Sequence, residues 1–333
     1  MKKFITALMF VLFGSFMAFS VAFAAADTWT QKADFGGGLR TSAVAFSIGS
    51  KGYMGTGFTG AGAVYDDWQN QDFWEYDPAL NIWTQKADFG GGKRYNAAGF
   101  SIGNKGYIGT GSDGYVRKND FWEYDPAANT WTRKADFGGA ARSCIVAFSI
   151  RDKGYFGTGD NGVRQKEFWE YNPATDVWTQ KADFGGEARM WATGFSIGSK
   201  GYIGMGMTTY YNEDNMLRNL IYKDFWEYDP ALNTWTRKAD FKGGERLRTV
   251  GFSIGNKGFI GTGVFWDESY TYTYYKDFWE YDPVTDTWTK KADFGGMARN
   301  SASGFSVGNK GYIGTGATEA GAKFYTKDFW EYE

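Results

Sequence analysis

The chain has 333 residues, of which 43% are hydrophobic and 20% aromatic, with 36 basic and 38 acidic residues, one cysteine and no histidine. A near-neutral balance without a basic run argues against a nucleic-acid partner. The absence of histidine removes the usual imidazole ligands of copper, iron and zinc and the commonest general base, so no cofactor, no metal site and no catalytic set is expected.

Residues 1–26 carry the marks of a secretory leader. Lys2 and Lys3 precede an apolar run from Phe4 to Phe23, and Ala24-Ala25-Ala26 follow as a small-residue cleavage site. Cleavage would leave residues 27–333 without a stable membrane span, secreted, periplasmic or at the cell surface; an uncleaved anchor is the other reading. Without Lys2 and Lys3 the balance is 34 basic to 38 acidic residues, near −4. Cys144 has no partner for an intramolecular disulfide, so stability must come from aromatic burial.

From Asp27 onward one phrase recurs. An arginine leads into F-S-I-G-x-K-G-Y-x-G-T-G, a variable stretch follows, and then D-F-W-E-Y-D-P and W-T-x-K-A-D-F. The last tryptophan falls at Trp29, Trp83, Trp131, Trp178, Trp235 and Trp288. Self-similarity at this period signals a stacked or radially repeated fold. In the second copy, Tyr95 to Ile102 reads as a first strand, and Gly103-Asn104-Lys105-Gly106 as a tight turn. Tyr107 to Gly111, Asp120 to Tyr124 and Thr130 to Ala135 read as three more strands. All five prolines (Pro78, Pro126, Pro173, Pro230 and Pro283) occupy the turn between the last two strands, where no ladder donor is lost. The fold class is all-β: a six-bladed β-propeller of four antiparallel strands per blade, its small Ala and Gly positions receiving aromatics from the adjacent blade. The unpartnered strand Thr28 to Ala33 is expected to pair with Phe329–Tyr332 and close the ring.

These residues resemble the kelch repeat family over essentially all of 27–333. The resemblance rests on the opening arginines (Arg40, Arg94, Arg142, Arg189, Arg246 and Arg299), the aromatic of the second strand, the Tyr-Asp-Pro turn and the following tryptophan. Kelch units usually end their second strand in Gly-Gly, whereas here it is Gly-Thr-Gly, or Gly204-Met205-Gly206 in the fourth copy. The family includes peptide-binding adaptors, a copper-radical sugar oxidase and a bacterial sialic acid mutarotase. Oxidase chemistry needs histidines and does not transfer. Sugar-directed acid/base work by carboxylates and arginine is not removed by this argument.

Repeated positions hold the scaffold, and positions that differ between copies can carry function. The second residue after each arginine gives Ser42, Asn96, Cys144, Trp191, Arg248 and Ser301 around one rim. Asn96, Trp191 and Arg248 are candidate ligand-binding residues for a sugar or peptide carboxylate; the alternative is that this set plugs the channel. The loops between the second and third strands vary too. Their aromatics Trp68, Tyr210, Tyr211, Trp266 and Tyr272 are candidates for the same face, unless the loops pack on themselves. Asp66-Asp67 and Glu213-x-Asn215 offer oxygens for calcium. The six arginines are expected to pair with a repeated carboxylate, Asp34 and its equivalents or the glutamate of W-E-Y, rather than to form an anion-binding crown. Cys144 reads as a small packed residue. The functional expectation is a monomeric, non-enzymatic module that binds a glycan or protein. The alternatives are a mutarotase or epimerase using Glu187, Glu245 or Glu268 as acid/base, and a structural component of the cell envelope.

Overall fold

The structure is a computed structural model that describes residues 27–60, 68–211, 213–319 and 325–333. Residues 1–26, where a leader is expected, and Asp66 and Asp67 lie outside the described residues. Six four-stranded antiparallel sheets form a ring, and no helix occurs among the described residues, so none is long and apolar enough to cross a membrane. The first blade runs outward through Val44–Ile48, Lys51–Gly55, Phe73–Asp77 and Ile82–Lys86. The inner strands of the next five are Ala98–Ile102, Val146–Ile150, Thr193–Ile197, Val250–Ile254 and Ser303–Val307. Each therefore begins about three residues later than the sequence suggests, which leaves the variable pair outside the sheet.

The sixth blade takes its outer strand, Trp29–Lys32, from the start of the fold. Trp29 pairs with Tyr332 and Lys32 with Phe329. Asp27 completes this closure: its Oδ1 accepts from Ala292 N at 2.9 Å and from the Tyr332 hydroxyl at 2.9 Å. Asn81 accepts the equivalent pair, Ala33 N and Tyr76 Oη, also at 2.9 Å each. The junction between last and first repeats thus has the same chemistry as the internal ones.

Blades pack through glycine. A Cβ on Gly154 would stand 2.0 Å from the Phe100 ring, and one on Gly52 would stand 2.1 Å from the Phe305 ring. The glycine of K-G-Y in each blade is therefore the socket for the phenylalanine of F-S-I in the blade before it. Each such Phe is buried, which contributes about 1.5–3 kcal/mol of transfer free energy. Each outer-strand tryptophan also donates its indole N–H across the seam, as Trp83 does to the Ala33 carbonyl at 3.2 Å and Trp29 to Ala292 at 3.1 Å.

The six repeated arginines are at most 1% exposed and carry the densest polar network. Five make a two-pronged pair with the aspartate of D-F-W, at 2.5–3.1 Å: Asp72, Asp120, Asp224, Asp277 and Asp328. Structural pairing is thus what the arginines do, but the partner is neither Asp34 and its equivalents nor the W-E-Y glutamate. Glu75 of W-E-Y accepts instead from the Tyr53 hydroxyl at 2.5 Å, and Asp34 pairs with exposed Lys327 at 3.2 Å. The reason is reach. The aspartate of D-F-W stands at the entry of the third strand on the same face as the arginine loop, and a planar fork needs a carboxylate presented edge-on.

Each of those five aspartates also accepts the indole N–H of the tryptophan two residues on, at 2.7–2.8 Å. The third blade departs from this. Glu167 replaces the aspartate, pairs with Arg142 through one Nη only, and leaves the buried Trp169 Nε1 without an acceptor. Glu167→Asp is therefore expected to stabilise the fold by about 1 kcal/mol, the net worth of one regained hydrogen bond, read as a shift in the urea midpoint at constant m. A lowered midpoint would mean that the third blade has adapted its backbone to glutamate. Gly154→Ala should cost about 1–3 kcal/mol by overpacking against Phe100, measured the same way, whereas a neutral change would show that the seam can open.

Candidate binding site at the channel mouth

The residue pair after each arginine divides into two jobs. The first member (Thr41, Tyr95, Ser143, Met190, Leu247 or Asn300) forms an antiparallel bridge to the start of its own blade's variable loop; Tyr95 N reaches Ser112 O at 2.9 Å and Ser112 N returns to Tyr95 O at 3.0 Å. The second member turns into the left-handed region, with φ between 50° and 60° at Ser42, Asn96, Cys144, Trp191, Arg248 and Ser301. That turn aims each N–H at the carbonyl of the second member in the preceding blade. Six bonds of 3.0–3.2 Å follow one another around the axis, from Asn96 N to Ser42 O and on to Ser42 N to Ser301 O. The mouth is thus bounded by a closed ring of backbone hydrogen bonds.

Glycine is the cheapest residue at positive φ, and a non-glycine residue there costs about 1–2 kcal/mol. None of the six is glycine, so each carries a side chain at the rim. These side chains line a cavity of about 170 Å³ that continues into a channel walled by small residues such as Ala45, Gly99 and Ala147. Arg248 stacks on Trp191 with its guanidinium carbon 3.8 Å from the ring centroid. Its Nε is shielded from solvent and has no hydrogen-bond partner, and no ion pair among the described residues includes it. The titratable groups acting on it are Cys144, Tyr274, Tyr272 and Tyr325, none a carboxylate, and burial pulls its guanidinium below the usual arginine value. Burial likewise pushes the Cys144 thiol up, with Arg248 and Arg117 opposing only in part. That environment fits a packed cysteine, not a nucleophile.

Asn96, Trp191 and Arg248 therefore meet at one place. Tyr272 lies on the fifth blade's hairpin, Val264–Trp266 with Tyr272–Tyr274, and packs tilted against Trp266, the ring centroids 5.5 Å apart. Trp266 and Trp191 pack against the same apolar cluster of Met190, Met207, Ile221, Leu247 and Val264. Trp68 stands apart from the mouth lining, edge-on to Phe58 at 5.7 Å. Tyr210 and Tyr211 project from the fourth blade's hairpin, Met207–Tyr211 with Leu217–Ile221, and are 47% and 68% exposed. Glu187, Glu245 and Glu268 are exposed and none lines the mouth. Among the described residues no group of three or more acidic or thiol side chains could hold a metal ion.

Two arginines near the mouth were not singled out from the sequence. Arg117 and Arg164 both bind the buried Asp160, the first at 2.5 Å. Two guanidiniums on one carboxylate leave a net positive charge, and Arg117, like Arg248, acts on the Cys144 thiol. The signal was present in the two shortest loops, which both contain Gly-x-Val-Arg or Gly-Val-Arg (Gly114 to Arg117, Gly162 to Arg164).

Comparison with known proteins yields fold alone. The chain is similar to the solved structure of YjhT, with a TM-score of 0.69 over 87% of this chain and 94% of that one, at 16% identity. No family profile matches the chain, and no curated protein does.

The unpaired guanidinium has a consequence for stability. A half-buried guanidinium whose shielded Nε has no partner contributes little to folding, so Arg248→Met should leave the urea midpoint unchanged or raise it by about 1 kcal/mol equivalent. A clear loss of stability would show that the Arg248–Trp191 stack holds the ring together.

Proposed function

We propose that the chain is an exported recognition module that binds a carboxylate-bearing glycan or peptide over the channel mouth. The observation that carries this reading is Arg248, a guanidinium stacked on an indole, facing a concave site and provided with no carboxylate of its own. An arginine fork matches a carboxylate in charge and shape, and the aromatic face beneath it keeps it extended toward the opening. Arg117 and Arg164, with only Asp160 between them, make the surrounding field more positive although the whole chain is net negative. Trp191, Tyr272 and Asn96 offer a ring face and an amide to the rest of the ligand, a combination that suits sugars and peptide ends. Export follows from the leader, and the kelch resemblance is compatible with a binding role on the loop-rich face.

Recognition is favoured over mutarotase or epimerase chemistry because the residues lining the mouth include no carboxylate to act as acid or base. The test is binding by the purified protein to an array of glycans and peptides in which each acid is paired with its amide or neutral counterpart, glucuronate with glucose for example. The acid is expected to bind at least about tenfold tighter, the worth of one hydrogen-bonded charge, and both Arg248→Met and Trp191→Ala should abolish the difference. Equal binding of acids and neutral counterparts, or retention in Arg248→Met, would remove the reading.

A further inference from the structure

A second concavity lies beside the mouth, between the two protruding hairpins. It has a volume of about 230 Å³. The fourth blade's hairpin contributes Arg218, Leu220 and Ile221, and the fifth blade's contributes Phe265, Trp266 and Glu268; Glu245, from the loop before Arg246, closes one side. No side chain of the channel mouth takes part.

The polar groups of this groove are mismatched with one another. Trp266 Nε1 is shielded from solvent and has no acceptor among the described residues. Among the described residues Glu245 and Glu268 have no cation within 4 Å, although Arg218 lines the same space, and the Arg218 guanidinium donates to the Met216 sulfur at 3.8 Å. The neighbouring Asp267 is already used by its own turn, accepting from Ser269 N at 2.9 Å and Thr271 N at 3.0 Å. An occupant that used every group of this lining would accept from an indole N–H and a guanidinium, donate to two exposed carboxylates in place of water, and lay an apolar face on Phe265 and Trp266.

Few chemistries meet all of these demands at this size. A lysine side chain would satisfy the carboxylates but leave both donors unmatched. An acyl chain would match the rings alone. A hydroxyl both donates and accepts, and a pyranose carries several around one edge with C–H groups across its face. The volume is below the roughly 300–1,000 Å³ of pockets for drug-sized ligands, which suits a single ring. We propose that the groove between the two hairpins is an uncharged-sugar subsite, in which one pyranose stacks on Phe265 and Trp266, donates to Glu245 and Glu268, and accepts from Trp266 Nε1 and Arg218. It extends the glycan branch of the proposed function but shares no charged residue with the mouth, so either can fail without the other.

The experiment is ligand-observed NMR with the full protein against methyl glycosides of common neutral hexoses and their trisaccharides, with N-acetyl-lysinamide as the cationic control. At least one neutral sugar should saturate both the wild-type chain and Arg248→Met. Binding should weaken about tenfold in Glu268→Gln and in Glu245→Gln, as expected for loss of a hydrogen bond to a charged group. Both glutamates are exposed, so the variants should keep the wild-type melting transition. Trp266→Phe, which keeps the stacking face and deletes the N–H, should weaken the same sugar without abolishing it. The proposal is overturned if no neutral sugar saturates, if sugar binding is lost in Arg248→Met but kept in the glutamate variants, or if N-acetyl-lysinamide binds in place of every sugar.

Discussion

The architecture depends on six buried guanidinium–carboxylate locks. A buried ion pair stabilises a fold only when its geometry is close to ideal and its remaining donors are satisfied, because the desolvation cost is several kcal/mol per ion. Here the fork is met by an aspartate in five blades, by the carbonyl of residue 56, 110, 158, 205, 262 or 315 at 2.6–3.3 Å, and by a phenylalanine ring beneath. The arginine thereby ties the loop that enters the blade to the ends of its second and third strands. The residue pair that follows is held where one member bridges the variable loop and the other turns toward the axis. Without the lock, neither the left-handed ring nor the mouth it encloses would have a fixed geometry.

The loop before the arginine meets its remaining donors in two ways, only one of which engages Nε, and the sequence distinguishes them. Where the third residue after the phenylalanine is glycine, at Gly38, Gly92 and Gly244, it adopts positive φ, and the carbonyl of Gly37, Gly91 or Gly243 accepts from Nη2 while Nε stays bare. Where that residue is Ala140, Glu187 or Met297, its own carbonyl accepts from Nε at 2.9–3.1 Å. Glu187, an alternative acid/base residue by its side chain, serves the scaffold through its backbone carbonyl. A similar account covers Met205, which replaces threonine in the fourth Gly-Thr-Gly. The five threonine hydroxyls there are buried without partners, so the change removes no hydrogen bond.

Fold and blade count were legible because they rest on periodic signals: glycine opposite phenylalanine, proline confined to one turn, tryptophan at one register. The partner of the arginine was not legible, because the choice among three repeated carboxylates depends on how the third strand presents its first side chain in space. The rim set was readable as a list of positions, since it varied where its neighbours did not. Its left-handed backbone was not, because Trp191 and Arg248 give no local hint of positive φ, and only the inter-blade hydrogen bond accounts for it. The grouping of the loop aromatics also escaped the sequence. Trp266 and Tyr272 are brought together by hairpin register, whereas Trp68 goes to Phe58 and Tyr210 to open solvent, and none of these outcomes follows from composition.

The opening arginines and the rim arginine stand in contrasting electrostatic settings, and the contrast distinguishes the mouth from the scaffold more sharply than any motif. Six arginines are compensated by carboxylates and belong to the scaffold. Arg248 has comparable shielding at Nε but faces tyrosines, a thiol and an indole. Scaffold positions are copied between repeats along with their partners, so a charge introduced at a single repeat arrives without one. Its desolvation cost is then borne by the rest of a well-packed ring, whose Phe-in-Gly seams and closed hydrogen-bond circuit supply ample stability elsewhere. A ligand oxyanion would complete at this one site the pairing that the other six arginines find within the chain.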